Sequence, residues 1–194
     1  VTEVAVSGGR VSGVKLEKAG LVNCEAVLLA TGGASYPRTG STGDGYRIAE
    51  ALGHTITPIR GSLVPLESED RACSQLQGLS LRNVVLRMKN QRGKTVYQEQ
   101  GELLFTHFGL SGPLVLSASA HMDFARDRYA AHIDLKPALD EEKLDARLLR
   151  DFGERANQDV SNALGALVPR SMIPVMAERT GIDGQTKVRD IRRV

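Results

Sequence analysis

The 194-residue sequence predicts an α+β fold in three parts: an α/β piece, a module of short antiparallel strands and a small helical bundle. Three observations predict it. Near the N-terminus apolar residues alternate, then run continuously into a glycine-rich loop and one amphipathic helix. From about residue 60, short β-like runs recur with turn signals between them, and after Pro137 the apolar spacing becomes helical. A composition of 41 % hydrophobic and 25 % charged residues is enough for a buried core.

Taken in order, Val4 and Val6 alternate with polar neighbours, "SGGR" makes a turn and "VSGVKLE" alternates again, which predicts a β-hairpin. "CEAVLLA" is a continuous apolar run ending at Gly32-Gly33, the pattern of a strand buried on both faces. In "DGYRIAEALGH", Tyr46, Ala49 and Leu52 fall on one helical stripe, and Gly53 suits the position just past the helix end. "GSLVPLE", "NVVLRMKN", "KTVYQEQ", "GELLFTH" and "AAHIDLK" then predict a small antiparallel sheet or barrel, with "NQRG" as a tight turn. Only "GPLVLSASAHM" interrupts them, as a helix that can begin at Pro113, because a first-turn proline loses no hydrogen bond. Asp140 can cap a helix with Glu141 and Glu142 in its first turn and Leu144, Leu148 and Phe152 on one face. "VSNALGALV" and "MIPVMAERTG" predict two shorter helices separated by Pro169, the second ended by Gly181. In "KVRDIRRV", Val188, Ile191 and Val194 recur at helical spacing; with no aromatic interleaved for base stacking, the basic residues are read as a solvated helix face.

Several function classes are excluded at this level. A formal charge of +2 is too near balance to announce a nucleic-acid or membrane partner, and neither is expected. No apolar run approaches bilayer length, and Cys24 and Cys73 are too isolated for a disulfide framework or a zinc site, so a reducing cytoplasm is the expected location. His54, His121 and His132 are scattered, and no metal is expected. "SGGRVSGV" departs from G-x-G-x-x-G, "GSTGDGY" lacks the G-K-[ST] ending of a phosphate loop, and Ser111 has no triad partners at recognisable spacing. Asp140, Glu141 and Glu142 read as helix N-terminal acids rather than an acid/base pair.

What remains is the stretch from Ala30 to Gly45. Thr31-Gly32-Gly33 at a strand end lets the backbone approach a ligand closely, since glycine has no Cβ to hold it off. "STGDG" stands at a helix start, where unpaired N–H groups favour an anion or a polyhydroxyl ligand, and Asp44 can accept hydrogen bonds from ribose or ribityl hydroxyls. The competing reading is that Asp44 or Thr42 caps the helix and the glycines make turns.

"VLLATGGASYPRTGSTGDGYRIAEALGH", followed by "GSLVPLE" and "GELLFTHFGLSGPLVL", resembles the BaiN-type, aminoacetone-oxidase-like flavoproteins, NAD(P)/FAD-dependent oxidoreductases. The resemblance runs through essentially the whole chain. It implies a FAD domain of the glutathione-reductase type interrupted by a β-barrel and a small helical bundle. Residues 1–59 are then part of the FAD domain, 60–137 the barrel insert and 138–194 the helical insert. The glycine-rich segments that open and close such a FAD domain have no counterpart here, and both ends look cut from a longer chain. The chain is therefore expected to be an internal fragment, inactive by itself and binding FAD weakly or not at all.

By the same resemblance Ala30, Thr31, Gly32 and Gly33 lie against the cofactor, with Gly43, Asp44 and Gly45 beside them. His107, in "FTHFGLSGP", is a candidate proton donor near the flavin, with satisfaction of a backbone carbonyl as the competing role. The implied parent enzyme takes hydride from a small amine, a carbon–hydrogen bond or NAD(P)H, and its insert caps the substrate side of the flavin. Its implied partners are a small-molecule substrate and the rest of the FAD domain; residues 1–59, whose strand has lost neighbours, are expected to be tied down by the barrel or by a second copy of the chain. The rival expectation is a non-enzymatic β-barrel module that binds a protein or an oligonucleotide.

Overall fold

The computed structural model describes residues 1–191 and divides the chain into two compact units, Val1–Gly61 and a second that begins at Ser62. Val194, the last member of the C-terminal apolar spacing, lies outside the described residues.

In the first unit the expected hairpin is a three-stranded antiparallel meander, β1 (Glu3–Ser7), β2 (Arg10–Leu16) and β3 (Gly20–Asn23). Gly8 and Gly9, both at positive φ (58° and 77°), make the two-residue turn that joins Ser7 to Arg10. The continuous run after it departs from expectation. Residues 24–33 form no strand, and Leu28 stands 90 % exposed. A strand buried on both faces needs hydrogen-bonded neighbours and a layer on each side, and a three-stranded meander supplies neither.

Helix α1 (Asp44–Ala51) ends as expected. Gly53 is left-handed (φ 90°), its N–H donates to Glu50 O at 2.9 Å, and His54 N–H donates to Ala49 O at 3.1 Å, the paired bonds of a Schellman motif. Its buried residue, however, is Ile48, while Tyr46 and Leu52 are exposed. Spacing identifies an apolar stripe, but only neighbouring elements decide which side of a helix is covered.

The second unit holds the antiparallel barrel expected from the sequence, as a curled five-stranded sheet in the order β4-β7-β6-β5-β8. Its strands are β4 (Leu66–Glu67), β5 (Ser80–Asn90), β6 (Thr95–Thr106), β7 (Gly109–Ser111) and β8 (Tyr129–Asp134). The long β5–β6 hairpin alternates: Leu81, Val84, Leu86 and Met88 face inward with Tyr97, Leu103 and Phe105. Register shifts at Leu81/Val84 and Met88/Lys89 bend it, and Asn83 takes positive φ (55°) at the first.

Helix α2 (Ala72–Gln75) adds Ala72 and Cys73 to this core, and helix α3 (Pro113–Ser119) covers the sheet with Leu114, Val115 and Ala118. Pro113 opens α3 as expected, directly after Gly112. Gly112 has φ 91°, and a Cβ there would stand 3.0 Å from Leu104 N, so the position takes glycine on both counts. Ser119 is buried yet satisfied: its hydroxyl donates to Leu116 O at 2.7 Å and accepts from Val64 N–H at 3.0 Å.

Beyond the sheet lie α4 (Glu141–Gly153), α5 (Val160–Leu164) and α6 (Ile173–Thr180). Asp140 caps α4 as expected, accepting from Lys143 N–H at 2.9 Å. The buried residue of α4 is Asp151, held by Arg147 Nε at 2.6 Å. Leu167, Val168, Met172, Ile173 and Val175 join the same apolar cluster as Leu86 and Leu103, so strands and final helices share one core. Among the described residues the C-terminal basic stretch exposes Lys187 and Arg189 as expected, but it forms no α-helix. Val188–Asp190 is a single 3-10 turn whose Val188 is buried with Val160 and Ala163, because its N–H pairs with Gln158 O at 3.0 Å. Among the described residues no helix is long and apolar enough to cross a membrane.

Leu103 is fully buried and Leu28 almost fully exposed. Leu103→Ala is expected to lower stability by about 3 kcal/mol and Leu28→Ala to change it by less than about 0.5 kcal/mol, measured by urea denaturation.

Candidate functional site

The first unit brings together two short motifs that the sequence holds ten residues apart. The chain leaves Gly33, passes through a 3-10 turn at Pro37–Thr39, and returns so that Gly43 N–H donates to Gly33 O at 3.1 Å. Ser41 Oγ lies 3.1 Å from where a Cβ on Gly32 would stand. A Cβ on Gly45 would run into Thr31 Oγ1, so the approach of α1 to residue 31 depends on glycine at 45. Ala30, Thr31 and Gly32 are exposed, while Gly33, Gly43, Asp44 and Gly45 are half-buried. The result is an open backbone edge beside the first turn of a helix.

Asp44 is the first residue of that helix, and the residue before it, Gly43, sits in the left-handed region (φ 80°) with no side-chain cap. Neither Asp44 nor Thr42 therefore fills the capping role that the competing reading gave them. Instead Thr42 Oγ1 donates to Asp44 Oδ2 at 2.9 Å and Arg47 Nη2 donates to Asp44 Oδ1 at 2.7 Å. The Arg47 hydrogen bond, then that from Thr42, holds the Asp44 carboxyl below the usual aspartate range. The group is an anion at neutral pH with one lone-pair direction left on each oxygen. Sequence reasoning missed Arg47, although its place three residues after Asp44 on a helix was the available signal.

His107 belongs to the second unit, in the turn between β6 and β7. Its ring is exposed and meets the Phe108 ring edge-on at 5.0 Å between centroids. Among the described residues no backbone carbonyl accepts from it, whereas the adjoining turn is held by Gly109 N–H donating to Thr106 Oγ1 at 3.1 Å. The same unit carries an apolar cavity of about 460 Å³ beside Phe105, Leu110, Tyr129 and Met176, rimmed by the Asp70–Arg179 ion pair. A polar cavity of about 690 Å³ lies among α5 and α6, lined by Arg155, Gln158, Asn162 and Arg170. Among the described residues no cluster of His, Cys, Asp and Glu side chains has the arrangement of a metal site.

Residues 60–194 match the family model described as HI0933-like protein barrel and H2TH domain. The ribosomal RNA dihydrouridine synthase of Escherichia coli (strain K12) is 34 % identical over 155 residues, 78 % of this chain and 36 % of that protein. The ribosomal RNA dihydrouridine synthase of Haemophilus influenzae (strain ATCC 51907 / DSM 11121 / KW20 / Rd) is 31 % identical over 173 residues, 88 % of this chain and 40 % of its own length. The 3-dehydro-bile acid delta(4,6)-reductase of Clostridium scindens is 24 % identical over 187 residues, 91 % of this chain and 45 % of its own. The chain thus spans less than half the length of these relatives, all of which carry the names of oxidoreductase-type enzymes.

Because the folded-state pKa of Asp44 lies below its unfolded value, the Thr42–Asp44–Arg47 arrangement contributes fully above the ordinary aspartate range and is lost as pH falls through the folded pKa. A carboxyl-carbon NMR titration is expected to place the Asp44 midpoint below that of a random-coil aspartate. Arg47→Gln should move it upward, and an unmoved midpoint would contradict the assignment.

Proposed function

From the premise that this chain belongs to the HI0933-like barrel and H2TH domain family, we propose that it is part of a FAD-dependent oxidoreductase that adds two hydrogens across a conjugated carbon–carbon double bond, its substrate class being uridine in ribosomal RNA. The supporting observation is the pair of relatives at 34 % and 31 % identity, both named for making dihydrouridine in ribosomal RNA. Dihydrouridine is uridine saturated at C5–C6, a bond conjugated to the C4 carbonyl. The third relative is named for reducing 4,6 double bonds in a 3-oxo steroid, which is the same reaction type: hydride adds at a carbon conjugated to a carbonyl and a proton follows on its neighbour.

FAD, when bound, supplies the hydride, with NAD(P)H as the electron source. The exposed edge of Ala30, Thr31, Gly32 and Gly33 suits close approach of a flat or extended cofactor. Asp44 suits a ribityl or ribose hydroxyl, which donates to its free lone pairs. An anion at the start of α1 disfavours a pyrophosphate there, so that group requires donors from the remaining length typical of the relatives. Gly43 and Gly45 serve by bringing Asp44 to that edge. His107, exposed and without a carbonyl partner, is the candidate proton donor, and the barrel and helical part form the substrate side of the enzyme.

The test uses the full-length protein. It should purify yellow, and with NADPH it should convert uridine in unmodified ribosomal RNA to dihydrouridine, read as a gain of two hydrogens by mass spectrometry. Asp44→Asn should weaken FAD binding by roughly tenfold, the worth of one hydrogen bond to a charged group. A colourless protein overturns the flavin assignment, and reduction of a steroid dienone without reduction of RNA moves the substrate to the small-molecule class.

A further inference from the structure

The near-zero net charge of the chain conceals an uneven distribution. In the β5–β6 hairpin Leu86 and Met88 face the core, so Arg87 and Lys89 lie on the opposite, outer face of the sheet. Register places Arg87 between Gln98 on β6 and His132 on β8, and Lys89 between Thr95 and Ala130. Arg87 Nε donates to Gln98 Oε1 at 3.0 Å, which leaves the other guanidinium N–H groups available.

At the hairpin tip Asn90 Oδ1 accepts from the N–H groups of Arg92 (3.1 Å) and Lys94 (3.0 Å), shaping a turn that carries two further cations. Arg128 N–H donates to Gln91 Oε1 at 3.0 Å at the same end, but Arg128 itself borders a cavity with Glu67, Glu69, Asp70 and Asp127. None of Arg87, Lys89, Arg92 and Lys94 has a carboxylate partner among the described residues, whereas Arg82, Lys143, Arg147, Arg179 and Lys187 each do. Of the acids on these strands, Asp134 Oδ1 accepts from Lys136 N–H, Glu99 accepts from Tyr97, and Glu102 pairs with Arg82.

Like charges gathered on one sheet face destabilise it, and a bound polyanion removes that penalty. No large apolar side chain is exposed in β5, β6 or β8, so the face has nothing to insert into a bilayer. Contact through phosphates is what the surface offers. We propose that the outer face of β5, β6 and β8 at this hairpin tip docks the phosphodiester backbone of structured RNA through Arg87, Lys89, Arg92 and Lys94. The assignment rests on the RNA reading above and adds to it the surface that holds the substrate.

The experiment measures binding of the 194-residue chain to a fluorescein-labelled RNA stem-loop by anisotropy across a range of KCl concentrations. For the wild type, log K should fall linearly with log[KCl] with a slope of about −3 to −4, as expected for neutralising about four phosphates. The combined variant Arg87→Gln, Lys89→Gln, Arg92→Gln, Lys94→Gln should flatten the slope by about 3 and lose at least about tenfold in affinity at low salt, with an unchanged circular dichroism melt. Arg155→Gln with Arg170→Gln, in the polar cavity of the helices, should bind as the wild type does. Wild-type binding that survives in the hairpin variant, or that is lost in the helical variant instead, overturns the surface while leaving the dihydrouridine reading intact. Absence of salt-dependent binding to RNA, or binding to phosphatidylglycerol vesicles in its place, overturns it as well.

Discussion

One constraint organises the second unit: the long β5–β6 hairpin sinks Leu81, Val84, Leu86, Met88, Tyr97, Leu103 and Phe105 into the core that α3 covers. Leu86, Leu103 and Val115 meet with no exposed surface, and around them gather α2 and the final helices. Because strand side chains alternate strictly, sinking Leu86 and Met88 into that core leaves Arg87 and Lys89 no choice of face. The packing that stabilises the sheet is therefore also what assembles its cationic outer surface. The register shifts that bend the hairpin let the sheet curl, and Gly112 allows the chain to turn from β7 into the covering helix.

The first unit is organised differently. Among the described residues, neither apolar cluster draws on it, and its large apolar side chains are mostly exposed. Its definition comes from hydrogen bonds: the meander ladder, the Schellman end of α1 and the Gly43–Gly33 closure. Such an arrangement puts main-chain edges and one anionic carboxylate at the surface. That is a poor way to build a core and a good way to present a binding edge, provided glycine stands where the two strands of the loop nearly touch.

These two surfaces fit one chemical scheme. Reduction of a conjugated double bond needs a hydride source, a proton and a means of holding the substrate. In the proposed reading the loop at residues 30–45 holds the cofactor that carries hydride, the exposed His107 supplies the proton, and the basic sheet face holds a polyanionic substrate. The names of the relatives converge on the same reaction type from two unlike substrates, an RNA base and a steroid. What distinguishes the RNA case is charge, which a steroid site would not require on an open sheet face.

By itself the sequence determined the α+β class, the β5–β6 hairpin, the Asp140 cap, and Pro113 and Gly53 at their helix ends, since each is a local matter of periodicity or backbone freedom. Tertiary structure alone decided the rest. It left residues 24–33 without the sheet their apolarity suggested, turned Ile48 rather than Tyr46 inward, and folded Val188 under as a single 3-10 turn. It also gathered Arg128 to a hairpin more than thirty residues away. Periodicity marks which side chains could be covered or paired; which of them are depends on what the rest of the chain brings alongside, and no local pattern carries that information.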